Sequence, residues 1–260
     1  MPGGGHRFRH RRALINGLDC RRRLPQIEVA RGDDAVALVF RHLDPLSQSD
    51  QDALVAFCRE HGLQCYLQPG NESTVHRVWP EEGEERLYYR HPQADVEMAF
   101  HPSDFTQVNA EINRRMVPLA LELLEVEAHH QVLDLFCGLG NFTIPAARRA
   151  AGVVGGGASD DMVRRGYENA RRNGLENVAF HAWDLDSEPK GQPWARQRHE
   201  RVLPDPPSSG ALEMVRLMPQ FDQEAPGAIC GHHATLPPDA RALCGERLRP
   251  RERRLDDTAQ

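Results

Sequence analysis

Lysine is almost missing from this chain: Lys190 stands alone, and the other 31 of its 32 basic residues are arginines. We read that as a compositional habit that marks no site. Cysteine is sparse as well, at positions 20, 58, 65, 137, 230 and 244, with no C-x-x-C pair and no zinc-ligand spacing. No metal site is therefore read from the sequence, and a disulfide framework is not expected in a chain this long, which makes a reducing cytoplasm the default setting. No apolar run approaches the roughly 18 to 20 residues of a membrane span, and the arginine-rich start lacks the apolar segment of a signal peptide. A soluble, cytoplasmic protein without membrane partners is expected.

What is present is a globular composition, 40% apolar and 27% charged over 260 residues, enough for one large or two ordinary domains. The net charge of -6 hides an asymmetry. Arginines at 7, 9, 11, 12 and 21 to 23 crowd the start, so residues 1–23 read as a basic arm that either touches phosphates or is simply solvated. From Pro25, two apolar runs around Arg31-Gly32-Asp33-Asp34 predict a hairpin. Ser47 or Ser49 then caps a helix with Leu54, Val55, Phe57 and Cys58 on its apolar stripe and Gly62 at its end. Within that stripe Cys58 reads as a small core residue. Strands are expected around Tyr66, Tyr88 and Met98, giving a small α+β region over 24–103.

The remainder, 104–260, changes character. Gln107 and Asn109 stand where a helix cap is needed, before a helical segment over 110–126 with Ile112, Met116, Leu119 and Leu123 on its predicted inner face. The stretch QVLDLFCGLGNFT over 131–143 then reads as a strand, a glycine turn at Gly138 and Gly140, and a helix start at Asn141 running to 151. Such a turn lets the backbone approach a ligand closely, and the helix start favours its polar or anionic groups. Thr143 occupies the place of the third glycine of the dinucleotide fingerprint, so the spacing is not G-x-G-x-x-G. Further strands at 152–154, 178–180 and 202–203, with a helix from Ser159 to Asn173, predict an α/β fold on a parallel sheet. Ligands of such sheets sit beyond the strand carboxyl ends, where Asp134, Asp184 and Asp205 fall. Ten of the nineteen prolines lie between Pro189 and Pro250, and the periodicity thins there.

Four motifs, DFTQVN, VLDLFCGLGNFT, ENARRNGLENV and DPP followed by Ser208-Ser209-Gly210-Ala211, make the chain resemble the bacterial uracil-5 methyltransferases of 23S ribosomal RNA, which use S-adenosylmethionine. The resemblance runs from about Leu24 to Leu243. It implies a Rossmann-like class I methyltransferase domain behind a small α+β domain and 23S rRNA as partner; because the sequence starts after the cysteine cluster that holds iron and sulfur in full-length relatives, no iron–sulfur cluster is expected in this chain. Carried over position by position, it implies that Gln107, Phe136, Asn141, Asp184 and Asp205 contact the donor or line its pocket, with Gly138 and Gly140 forming the turn beneath it. A carboxylate such as Asp184 can accept from the adenine amino group, Phe136 offers an apolar face, and Asn141 can bond the amino-acid end of the donor.

The family chemistry is nucleophilic: a cysteine thiolate adds to C6 of uracil, C5 takes the methyl group, a base removes the C5 proton, and the thiolate leaves. The chain departs from the pattern here. Gly231 aligns with the nucleophile, and Cys230 lies one residue earlier, beside His232 and His233. Gly157 replaces the acidic residue expected to hold the donor ribose, a loss of roughly 1.5 to 3 kcal/mol of binding. Ser208 replaces an arginine, and the sequence ends before the carboxylate that serves as base and starts after the RNA-binding barrel. Three readings follow: an RNA uracil-5 methyltransferase using Cys230, a remnant that binds RNA or donor without methylating, and a methyltransferase acting on an amine, against which DFTQVN argues. Oligomeric state is not legible in the sequence.

Overall fold

Eleven strands account for the architecture of the described residues, which in this computed structural model are 14–107, 109–183, 192–205 and 225–226. They form a four-stranded sheet, a five-stranded sheet and a two-stranded hairpin. The chain divides into two units, Met1–Tyr89 with Ala99–Thr106, and Arg90–Met98 with Gln107–Gln260.

In the first unit, β1 (Gln26–Arg31) pairs antiparallel with β2 (Val36–Arg41), the hairpin the turn cluster predicts. Helix α1 (Gln48–Glu60) then crosses to β3 (Gln64–Gln68), which runs parallel to β2. Ser47 is the cap, its Oγ accepting from the Asp50 N–H, and Gly62 leaves the helix with φ +64°. Strand β4 (His76–Trp79), which sequence patterning does not signal, closes the sheet antiparallel to β3. Leu38, Phe40, Leu54, Cys58 and Cys65 fill the core against α1, with Cys58 fully buried as a core residue. Residues 14–23, assigned from composition to the arm, take part in this packing. Leu18 is buried in the same cluster, and the buried carboxylate of Asp50 accepts from the backbone N–H groups of Asp19 and Cys20 at 2.9 and 3.0 Å. A charge-assisted bond of this kind fixes the segment more firmly than its arginines suggest.

The hairpin of β5 (Leu87–His91) and β6 (Val96–Phe100) contributes its base to the first unit and its tip, Arg90–Met98, to the second. In the second unit, α2 (Ala110–Leu123) is followed by β7 (Gln131–Leu135), α3 (Thr143–Ala147), β8 (Gly152–Gly157), α4 (Asp160–Arg172), β9 (Val178–Ala182), β10 (Arg201–Pro204) and β11 (Ala225–Pro226). The sheet order is β11-β10-β7-β8-β9, all neighbours parallel. The α/β parallel sheet expected from the alternating pattern is thus present, in Rossmann-like order. Succession runs outward from β7 in one direction and from β10 in the other, which makes the β7/β10 boundary the switch point where a crevice opens.

Three elements differ from expectation. Helix α2 buries Asn113, Val117, Pro118, Ala120 and Leu121, whereas Ile112 is 52% and Leu123 41% exposed, so the inner face is rotated from the one predicted. The stripe 113, 117, 120, 121, 124 has the right period but begins on a polar residue, and the choice by apolarity alone picked the neighbouring stripe. Helix α3 stops at Ala147 instead of 151: the Ala151 N–H turns to the His130 carbonyl at 3.0 Å, and Asn177 Nδ2 donates to the carbonyls of Ala147 and Ala150 at 2.9 and 3.1 Å, satisfying the helix end. Strand β8 continues through Gly155-Gly156-Gly157, beyond the predicted 152–154. A Cβ on Gly155 would stand 2.9 Å from the Phe180 ring and 3.0 Å from Cys137 Sγ, so neighbouring side chains fill the space this glycine leaves.

Candidate functional site

The site is built around the exit of β7. Leu135 ends the strand, and Phe136 leaves it with φ +66°, a left-handed conformation uncommon for an aromatic residue. Gly138 and Gly140 follow at φ +53° and +96°. At Gly138 nothing lies within 4 Å of where a Cβ would be, so the turn presents bare backbone to open space. Gly140 instead is packed, its Cβ position 3.0 Å from Ile144 and 3.3 Å from Phe180. One glycine leaves room above the turn, and the other lets the turn sit down on the core.

Asp205 follows β10 directly. Its backbone N–H donates to the Leu135 carbonyl at 3.2 Å, which fixes it beside Phe136 across the switch point. Phe136, half-buried, packs on the cluster of Leu133, Leu135, Trp183, Trp194 and Val202. Burial raises the carboxyl of Asp205 above its ordinary range. Asp134, one residue before the end of β7, is completely buried, and its carboxyl is pushed up to about 7 by desolvation, with the Asp205 charge adding to the rise. The Thr143 hydroxyl donates to Asp134 Oδ2 at 2.5 Å and works against the rise, while Asp134 Oδ1 has no hydrogen-bond partner among the described residues. Cys137 is buried under the turn, and burial together with Asp134 pushes its thiol far up, so it is inert as a nucleophile.

Asn141 lies in the turn, two residues before α3, not at the helix start predicted for it. Its half-buried carboxamide is held from behind: Nδ2 donates to Asn113 Oδ1 at 2.9 Å, and Oδ1 accepts from Asn113 Nδ2 at 2.9 Å and meets His91 Nε2 at 3.2 Å. Gln107 is exposed ahead of α2, whose cap Asn109 accepts from the N–H groups of Glu111 and Ile112. The structure therefore brings Phe136, Gly138, Gly140, Asn141 and Asp205 to the carboxyl edge of β7 and β10, with Gln107 at the start of the helix that braces Asn141. Asp184 and Cys230 lie outside the described residues; Trp183, just before Asp184, is buried and its N–H donates to the Gly157 carbonyl at 2.8 Å. At Gly157 a Cβ would meet Cys137 Sγ at 3.4 Å and Met162 at 3.8 Å, ordinary contacts that leave room for a side chain.

The family model for tRNA (uracil-5-)-methyltransferases matches residues 80–222, more than half of the chain. The chain belongs to this family. Among curated relatives of this tRNA (uracil-5-)-methyltransferase family member, the 23S rRNA (uracil(1939)-C(5))-methyltransferase RlmD of Alcanivorax borkumensis is 63% identical over 243 residues, covering 94% of this chain and 55% of that protein. The enzyme of the same name from Hahella chejuensis is 48% identical over 92% of this chain and 54% of its own length. The chain thus spans about half the length of the curated relatives it matches. Among solved structures, the Pyrococcus abyssi tRNA (uracil-54, C5)-methyltransferase in complex with S-adenosyl-L-homocysteine superposes with a TM-score of 0.63 at 17% identity, over 84% of this chain and 52% of that one. A Streptococcus mutans protein described as an S-adenosylmethionine-dependent methyltransferase gives 0.58 at 13% identity over 85% and 62%. These two likenesses establish the Rossmann-like methyltransferase fold.

Sequence reasoning missed His91, Asn113 and Thr143. Asn113 carried a signal, a polar residue interrupting an otherwise apolar stripe. His91 and Thr143 carried none, since their partners are 50 and 9 residues away.

Proposed function

We propose that the second unit binds S-adenosylmethionine and that the chain carries the donor-binding part of a methyltransferase acting on C5 of a uridine in 23S ribosomal RNA. The observation that carries the donor site is the open, left-handed glycine turn at the switch point, with Asn141 and Asp205 flanking it. The substrate comes from the relatives, which bear the 23S rRNA name at up to 63% identity. Work on ribosomal RNA is cytoplasmic in bacteria, and no described helix is long and apolar enough to cross a membrane.

The residues present fit the donor. Gly138 leaves the space an amino-acid end needs, Asn141 offers a carboxamide to it, Phe136 an apolar face, and Asp205 a carboxylate beside the crevice. Gln107 and Asp184 complete the set on the strength of the resemblance. Bound there, the donor supplies an electrophilic methyl group. The protein's part is to exclude water above the turn and to aim the reacting carbon at uracil C5. Cys230 is the proposed thiol for addition to C6, which hands electron density to C5; a base takes the C5 proton as the carbon–sulfur bond breaks.

Gly231 at the family's nucleophile position favours a second reading, a chain that binds donor and RNA without methylating. Calorimetric titration with S-adenosylmethionine tests the shared part: micromolar binding is expected, and a folded chain that binds none sinks it. Trapping on 5-fluorouracil-containing RNA separates the two readings. An adduct lost in Cys230→Ala establishes the thiol, an adduct unchanged in that variant removes Cys230 from the mechanism, and no adduct at all favours the second reading.

A further inference from the structure

Asn141 is backed by two side chains from outside the parallel sheet. His91 ends β5 and Asn113 sits in the second turn of α2, and they are 1% and 3% exposed. Asn113 and Asn141 form a reciprocal carboxamide pair, each donating Nδ2 to the other's Oδ1 at 2.9 Å. A concerted flip of both amides would preserve that pair. His91 breaks the symmetry: with a proton on Nε2 it donates to Asn141 Oδ1 at 3.2 Å and is compatible with only one of the two orientations. Away from water these bonds are stronger and polarise one another, so the carboxamide is held as a rigid unit.

This arrangement is more than the turn needs for its own shape. The backbone turn is already closed by the Gly140 N–H on the Cys137 carbonyl at 2.8 Å and the Ile144 N–H on the Gly140 carbonyl at 3.0 Å. The three-residue network instead fixes a side chain, and that side chain is the half-buried member while its two supports are sealed in. With its oxygen already accepting from Asn113 and His91, the Asn141 carboxamide discriminates through its amide N–H, which suits the carboxylate of an amino-acid moiety and not its ammonium group.

We infer that His91 and Asn113 are positioning residues that orient the Asn141 carboxamide toward the amino-acid end of the donor. The inference rests on the donor-site reading above. It is tested in the full chain by calorimetry with S-adenosylhomocysteine and with 5′-methylthioadenosine, which lacks the amino-acid end. His91→Ala and Asn113→Ala are each expected to weaken S-adenosylhomocysteine about tenfold, the order of one lost hydrogen bond, and to leave methylthioadenosine unchanged. His91→Gln keeps a donor nitrogen at similar reach and is expected to stay within about twofold of wild type, a ratio small on the same scale. Asn113→Asp is near-isosteric, keeps the acceptor for Asn141 Nδ2 and removes the donor to Oδ1, so it carries the test where Asn113→Ala does not fold. Equal losses for both ligands would make the network merely structural and overturn the inference. Unchanged S-adenosylhomocysteine affinity in the His91 and Asn113 variants, with Asn141→Ala weakened, overturns the positioning role alone. An unaffected Asn141→Ala, or a folded wild-type chain that binds neither ligand, overturns the donor-site reading and this inference with it.

Discussion

The Asp134 carboxyl is held at about 7 against an ordinary 3.8, chiefly because burial disfavours its charged form. The folded protein therefore binds this proton more tightly than the unfolded chain does. The resulting stability is fully present below about pH 4, declines as the pH rises toward 7, and is flat above it. Asp134→Asn keeps an oxygen for the Thr143 hydroxyl and removes the titration. Between pH 4 and 8, wild type should lose stability relative to this variant by about 1.4 kcal/mol for each pH unit that separates the folded and unfolded values, a few kcal/mol in all. Urea midpoints of the two proteins across that range measure the difference, and parallel profiles would contradict a raised Asp134. At this scale the sequence showed which residues leave β7 and β10 but not that Thr143 would turn back onto Asp134, because a hydroxyl nine residues away becomes a partner only once α3 folds over the strand.

Helix α4 meets the sheet through Gly166, where a Cβ would stand 2.6 Å from the Phe180 ring. Tyr167, next in the helix, reaches the same strand residue: its hydroxyl accepts from the Phe180 N–H at 3.1 Å and donates to the Phe180 carbonyl at 3.3 Å. Alanine in place of an exposed helical glycine gains about 1 kcal/mol from propensity. Here the overlap with a buried ring should outweigh that gain, and Gly166→Ala is expected to destabilise by about 1 to 3 kcal/mol. A denaturant midpoint higher than wild type would show that the ring moves aside freely. The ends of α4 were legible, because Ser159 as cap and Asn173-Gly174 as stop act locally. The inner face of α2 was not, since two adjacent stripes both contained apolar residues and only packing against Val132, Phe142 and Leu203 selected the one containing Asn113.

Across the whole molecule, the tip of the β5–β6 hairpin, Arg90–Met98, is an integral part of the second unit, although the sequence reading begins that unit at 104. The Glu97 N–H donates to Asn173 Oδ1 at 2.9 Å and the Asn173 Nδ2 returns to the Glu97 carbonyl at 2.8 Å, so the stop of α4 is bonded to the hairpin. Arg148 donates to the Asp95 carbonyl at 3.2 Å and Arg114 to the Arg90 carbonyl at 3.1 Å. At about 1 kcal/mol for each such bond, a fragment of residues 107–260 should be less stable than one of 87–260 by about 3 to 4 kcal/mol. Comparing the urea midpoints of the two fragments measures this, and equal midpoints would show that the tip contributes nothing.

Taken alone, the sequence determined the alternation of strands and helices, the glycine turn, the helix caps and the family, because each is written in residues close together along the chain or in a motif. Only the tertiary structure decided that β10 lies beside β7 and so opens the crevice, that a hairpin tip from 90–98 joins the unit that begins again at 107, and that His91 and Asn113 meet at Asn141. Those outcomes depend on pairings across 28 to 76 residues, and such pairings are settled by burial and by the geometry of the sheet.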